Sequence, residues 1–192
     1  MSDTWELLKD ECMNCSACPL APTRTNVVFG VGDPKSSVLF VGEGPGEKED
    51  LAGEPFVGPA GQLLDRYLEA VGLERSKVYI ANMVKCRPPA NRDPADSEID
   101  CCIDFLRRQT RLISPKIIVC LGRISACRMI DKDFKVTRQH GEWFKKGNFW
   151  MMGTYHPAAL LRNPNQKPDA LLDFIALREK MRELGVWTGE ID

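Results

Sequence analysis

Val38-Leu-Phe-Val41 runs straight into Gly42-Glu-Gly-Pro-Gly46, and this junction decides the fold. A short, unbroken apolar run bounded by a turn reads as a strand buried on both faces, the kind that sits inside a parallel sheet covered by helices. The glycines after it let the backbone approach a ligand closely. The turn is not a Walker loop, because no Gly-Lys-Ser/Thr follows, and it lacks the third glycine of the dinucleotide fingerprint. The acidic side chains of Glu43, Glu47, Glu49 and Asp50 would repel a phosphate. A neutral ring contacted by backbone N–H groups around Gly42, Glu43 and Gly44 suits the turn better. The plainer alternative is a tight strand–helix turn with a solvated acidic face.

Outward from this junction, strands and helices alternate. A short helix and a cysteine loop occupy residues 4–24. Residues 60–71 put Leu63, Leu64, Tyr67, Leu68 and Val71 on one helical face, and Gly72 ends that helix. Residues 78–84 read as a second strand and 87–94 as a rigid, proline-rich loop. A helix over 95–113 follows, then a strand at 116–121 and a helix from Gly122 to about 130. Residues 134–148 read as irregular or a hairpin, 149–153 as a last strand, and 169–184 as a C-terminal helix. This order predicts an α/β fold: a three-layer α/β/α sandwich around a central, mainly parallel four-stranded sheet. A single unit over residues 1–192 is expected, with its N-terminal cysteine loop joined to a metal site. In such folds the site lies at the carboxyl edge of the strands, where every polar motif of this chain falls.

The chain has 192 residues and a net charge of −1, so total charge gives no reason to expect nucleic acid. Its distribution does: residues 107–146 hold eleven Lys/Arg against three Asp/Glu, enough for a phosphate-facing patch or simply a solvated face. No apolar run approaches a membrane span, and the acidic start leads into no secretory stretch. An intracellular, cytoplasmic, monomeric protein away from membranes is expected.

Eight cysteines are many for a protein kept in a reducing compartment, where metal ligation is the better reading than disulfides. Cys15-Ser-Ala-Cys18 is a C-x-x-C pair, and Cys12 repeats its spacing. Cys86 ends the second strand, and Cys102 lies on the helix beyond, next to Cys101. Four thiolates suffice for a structural zinc or an iron–sulfur cluster, and spacing does not separate them. Cys120 and Cys127 read as small core hydrophobes. After the last strand, Tyr155-His156-Pro157 offers a histidine at a strand end, a candidate electrophile or acid. Leu160 and Leu161 then read either as loop residues that insert into a base stack or as the start of a core-packed helix.

The blocks Cys15-x-x-Cys18-x5-Arg24-Thr25, Gly42-Glu-Gly-Pro-Gly-Glu47, Pro55-Phe-Val-Gly58, Ala60-Gly-Gln-Leu-Leu64, Asn82-x-x-Lys-Cys86-Arg-Pro-Pro89, Asn91-Arg92 and His156-Pro-x-x-Leu-x-Arg162 occur in this order over nearly the whole chain. Together they resemble the iron–sulfur uracil-DNA glycosylases called family 4. The resemblance implies a [4Fe–4S] cluster on Cys15, Cys18, Cys86 and Cys102. It implies hydrolysis of the N-glycosidic bond of a flipped uracil in single- or double-stranded DNA, leaving an abasic site that initiates base excision repair.

On that resemblance Phe56 stacks on the uracil and Asn82 reads its edge. His156 donates to O2, while the backbone around Gly42 and Gly44 lines the pocket. Glu49, with Glu47 second, excludes the thymine methyl. Leu160 is the wedge, Arg162 steadies phosphate, and Arg87 and Asn91 stand near the DNA backbone. Gly44 replaces the water-activating aspartate of better-known uracil glycosylases, so Glu43 or Asn91 is left to position the water. The competing readings are a zinc-stabilised α/β nucleotide-binding protein and a non-catalytic interaction module.

Overall fold

A computed structural model describes residues 4–187 and 189; the outermost residues of the unit expected over 1–192 lie outside the described residues. Helix α1 (Trp5–Met13) precedes the cysteine loop. Strands β1 (Val31–Gly32) and β2 (Val38–Gly42) follow, then helices α2 (Glu47–Ala52) and α3 (Pro59–Ala70). Strand β3 (Tyr79–Asn82) leads to the long α4 (Asp96–Ile113), and β4 (Ile117–Leu121) to the short α5 (Arg123–Met129) and α6 (Val136–Gln139). The chain ends through β5 (Trp143–Lys146), β6 (Phe149–Thr154), α7 (Pro157–Arg162) and α8 (Lys167–Glu183).

The sheet order is β1-β3-β2-β4-β6-β5. The four central strands are parallel, as expected. The expected count of four is corrected to six, because each edge carries a short antiparallel strand. On one side the hairpin is not contained in 134–148 as allowed for: residues 143–146 pair with the last strand, and one helical turn, α6, precedes them. On the other, β1 contributes only two residues, too few for any periodicity to reveal.

Alternation along β2 divides the core. Leu39 and Val41 face α1 and α4, packing with Leu8, Ile99 and Leu106. Val38 and Phe40 face α3 and α8, packing with Leu64, Leu68, Phe174 and Leu177. Helix α4 buries Ile99, Cys102, Leu106, Gln109 and Ile113, one stripe at helical spacing. Cys102 therefore faces inward and Cys101 faces solvent.

The order of the central strands matters most for function. The chain steps from β2 to β3 on one side, then crosses to β4 and β6 on the other. Loops leaving β2 and β4 thus diverge at their carboxyl ends, which opens a crevice at the switch point.

Candidate active site and thiol centre

A cleft of roughly 780 Å³ occupies that crevice, within the range of small-molecule pockets. Its floor is built from four strand ends. Gly42 and Asn82 are register partners on β2 and β3. Glu43 follows β2, Gly122 follows β4, and His156 follows β6 by two residues. Phe56 and Glu49 close one side.

Asn82 is 2 % exposed, and its Oδ1 is the one buried side-chain polar atom without a hydrogen-bond partner among the described residues. A buried acceptor left unpaired costs about 1–3 kcal/mol, so it marks a place prepared for a donor. The amide needs the glycine opposite. A Cβ on Gly42 would sit 2.4 Å from Asn82 Oδ1 and 2.7 Å from the Phe56 ring.

Phe56 has φ 54°, a left-handed backbone that a bulky L-residue rarely adopts. Two features hold it there. Glu49 Oε1 accepts the N–H groups of Val57 and Gly58 at 3.0 and 2.9 Å. Gly61 lies so close that an added Cβ would be 1.7 Å from the Phe56 carbonyl oxygen. The ring meets His156 with centroids 5.6 Å apart. Ala90 (φ 55°) and Asn91 (φ 54°) repeat the left-handed conformation at the far rim. Strain of this kind concentrates at ligand sites.

His156 is the N-cap of α7, with Pro157 at the first helical position. Its Nδ1 accepts the Ala158 N–H at 3.1 Å, so the ring proton of the neutral form stands on Nε2. Burial pushes the ring pKa down to about 4, with the Arg162 charge adding to the effect and Glu49 opposing it. The imidazole is therefore a neutral donor at ordinary pH. Glu43 is shifted the other way, up to about 7. Burial is the main cause and Asp93 adds to it; Arg123, the Ile124 N–H and Arg162 offset part of the rise. Glu43 faces β4, since a Cβ on Gly122 would lie 3.0 Å from its Oε1. A carboxylate poised near neutrality beside a neutral imidazole is suited to general-base work next to a hydrogen-bond donor.

Several expected residues stand elsewhere. Leu160 is 1 % exposed and belongs to the core under α7, so it is not free to enter a base stack; Leu161, 42 % exposed, is the leucine that points outward. Glu47 is exposed and outside the cleft lining, 3.9 Å from Arg87. Arg87 Nε donates to Asn91 Oδ1 at 2.7 Å, which ties that amide to the rim rather than to the floor. Arg162 lines the cleft mouth.

Other residues were missed in the sequence. Arg123 and Lys135 line the cleft, yet no motif singles them out, and Tyr155, quoted only as the neighbour of His156, lines it too. Asp50, 2 % exposed, accepts the N–H groups of Thr25 and Asn26 and so fastens the segment after the cysteine loop to the glycine turn. Its place in an acidic run disguised it.

On the α4 face of the sheet, Cys12, Cys15, Cys18, Cys86, Cys102 and the more exposed Cys101 line one small cavity, with Arg24 and Lys85. Among the described residues, no three His, Cys, Asp or Glu side chains stand in closed metal-ligating geometry. The donor set nevertheless fits a thiolate-bound metal group. Arg24 Nη1 donates to Cys86 Sγ at 3.4 Å, and the Lys85 N–H donates to Cys102 Sγ at 3.3 Å. Such N–H donors and a cationic wall stabilise sulfur in its anionic form. Without a metal, burial pushes Cys12 up to about 12 and Cys102 up to about 11. Cys12 was not expected to take part, and its burial at the end of α1 places it in the same cavity.

Residues 29–177 match the family model described as the uracil DNA glycosylase superfamily. The chain is 46% identical to a type-4 uracil-DNA glycosylase of Sulfurisphaera tokodaii, over 96% of this chain and 86% of that protein. It is 45% identical to the type-4 enzyme of Archaeoglobus fulgidus, over 88% and 89%, and 44% identical to that of Thermotoga maritima, over 82% and 83%.

Proposed function

Since this chain belongs to the uracil DNA glycosylase superfamily, we propose that the cleft at the switch point receives a flipped uracil, whose N-glycosidic bond the enzyme hydrolyses. The activity is that of a uracil-excising DNA repair glycosylase. The observation that carries the assignment of the cleft is the buried, unpartnered Oδ1 of Asn82. Uracil brings an N3–H donor to it and an O4 acceptor to the amide NH₂. Cytosine presents an acceptor and a donor at the same places, which leaves both pairs mismatched.

The remaining roles follow from position. Phe56 stacks on the ring. Glu49, held by Val57 and Gly58, walls the cleft against a C5 methyl group. His156 Nε2–H donates to O2, where charge builds as the base departs, so it acts chiefly on the transition state. Glu43 takes the proton of the attacking water; Asn91, tied to Arg87, is the weaker candidate. Leu161 replaces Leu160 as the wedge, and Arg162 with Arg87 contacts phosphate.

Cys15, Cys18, Cys86 and Cys102 are the residues that would hold a [4Fe–4S] cluster, with Cys12 beside them. Bound there, the group supplies a cross-link between the N-terminal loop and the segment after β3. Among the described residues no helix is long and apolar enough to cross a membrane. The proposed protein is a cytoplasmic monomer acting on single- or double-stranded DNA.

An abasic-site assay tests this reading. Strands bearing one uracil, single and paired, are expected to become alkali-labile, whereas matched strands bearing cytosine or thymine stay intact. Equal cleavage of the cytosine strand would overturn the role given to Asn82.

A further inference from the structure

One layer behind the cleft wall, α8 buries a carboxyl that the roles given above leave unused. Asp173 is 3 % exposed. His140 Nδ1 stands 2.9 Å from its Oδ1 and 3.1 Å from its Oδ2. Oδ2 also accepts the Thr154 hydroxyl. The carboxyl fits because residue 141 is glycine: an added Cβ there would stand 2.5 Å from Asp173 Oδ1. Burial raises the pKa of this carboxyl, and the Thr154 and His140 hydrogen bonds offset part of the rise. A proton shared with His140 leaves Oδ2 able to accept from Thr154 on whichever side it rests, so the grip is one of geometry rather than of charge.

Thr154 and Tyr155 are the two residues in front of His156. Thr154 ends β6, and its carbonyl accepts the Gly122 N–H at 2.9 Å. Gly122 in turn lies against the histidine, since a Cβ there would be 2.9 Å from the His156 Cβ. Tyr155 lines the cleft, and its ring meets that of His140 with centroids 4.8 Å apart. The Gly141 N–H donates to the Gly153 carbonyl at 3.0 Å, which closes the tie between the two segments. We propose that Asp173, together with His140, is a positioning residue for His156: from outside the cleft the pair fixes Thr154 and Tyr155, the two residues that carry the imidazole to uracil O2. A donor acts on the transition state only where it is already in place, and a displacement of about 1 Å costs up to about 10²-fold in rate. This inference rests on the reading of the cleft given above, in which His156 is the donor.

The test compares single-turnover excision of a uracil strand with binding of a strand carrying 2′-fluoro-deoxyuridine, which resists hydrolysis. Thr154→Val keeps the shape of the side chain and removes the hydroxyl. In the holoenzyme it is expected to slow excision about 10–100-fold, with binding within about twofold of the wild type. Thr154→Ser restores the hydroxyl and is expected to return the rate to within about threefold of the wild type. The chain holds two histidines, so nitrogen NMR of histidine-labelled enzyme resolves their rings one by one. The His156 signals are expected to shift in Thr154→Val and to stay in place in Thr154→Ser.

Leu177→Val, one turn along α8 and in the core, disturbs packing and leaves the Asp173 contacts in place. It is expected to lower the melting temperature with the excision rate unchanged. If it slows excision as much as Thr154→Val does, packing alone sets His156 and the proposal fails. Wild-type excision in Thr154→Val overturns the proposal, and so does a loss of binding equal to the loss of rate. If Thr154→Val does not fold, His140→Phe decides. It keeps a ring against Tyr155 but gives Asp173 no donor, so excision is expected to slow at least about fivefold, and a wild-type rate overturns the proposal. A wild type that excises no uracil removes the reading of the cleft itself, whereas an active wild type that loses nothing on these substitutions removes this inference alone.

Discussion

Replacing Glu43 with glutamine is expected to move activity and stability in opposite directions, by amounts that the site sets. Burial, above all, pushes the carboxyl up to about 7 from its ordinary 4.5. With a pKa of about 7, roughly 3 % of Glu43 is ionised at pH 5.5 and about 90 % at pH 8. If Glu43 is the base, single-turnover excision therefore rises about 30-fold over that interval, along a limb of unit slope. An unshifted glutamate would give almost no change. His156, with a pKa of about 4, stays neutral throughout and adds no limb.

The same shift costs stability. A folded pKa above the unfolded one favours the fold below about pH 4.5, and that benefit is lost as pH rises through about 7. At pH 8 the ionised Glu43 thus destabilises the fold by up to about 3 kcal/mol. Glu43→Gln should recover part of this at pH 8 and nothing near pH 4.5, while its excision is slow and independent of pH. The assays are alkali cleavage of a uracil strand under single turnover and urea unfolding at both pH values. A glutamine variant that keeps the acid limb, or a wild-type profile flat down to pH 5.5, would refute the assignment of Glu43 as base.

Removing the ring in His156→Ala should lower the single-turnover rate by about 10²–10³ without shifting the acid limb, as for loss of one preplaced donor. Leu161→Ala should slow excision from duplex DNA at least about tenfold and from single strands by no more than about twofold, because only the duplex must be unstacked. Leu160→Ala should instead destabilise the fold by about 2–5 kcal/mol, read by urea unfolding, since that side chain is in the core. Cys18→Ser should reduce absorbance near 400 nm and iron content and lower the melting temperature, with the loop that carries Arg24 becoming sensitive to protease.

Where hydrophobic period was strong, the elements were legible. Residues 38–41, 60–71, 95–113 and 116–121 were read within a residue or two of their observed bounds. The failures have physical causes. Strand β1 is two residues long and defined only by pairing with β3. Helix α2 hid in an acidic run read as a turn, although Asp50 within it is buried by two backbone donors. Around α7 the signal was present and misweighed. Proline at the first position opens a helix, so Pro157 favours the helical alternative for the residues after His156. Helical spacing from Pro157 then turns Leu160 inward and Leu161 outward. The choice of Cys102 over Cys101 follows the stripe of α4, but membership of Cys12 in the cavity depends on how α1 packs on α4, which spacing does not encode. Likewise the unpaired Oδ1 of Asn82 exists only because two strand ends and Phe56 close around it.

The cap on α7 makes fold quality and the proposed chemistry compete for one residue. Serine, threonine, aspartate or asparagine at position 156 would each start that helix at least as well as an imidazole does, because all of them offer an oxygen to the first-turn N–H groups. A search for thermostability that watched only the melting curve would therefore accept such replacements and discard the donor proposed for catalysis. The cap uses Nδ1, which leaves Nε2–H for the donor role proposed above. Any engineering of this chain for robustness has to begin by exempting that residue.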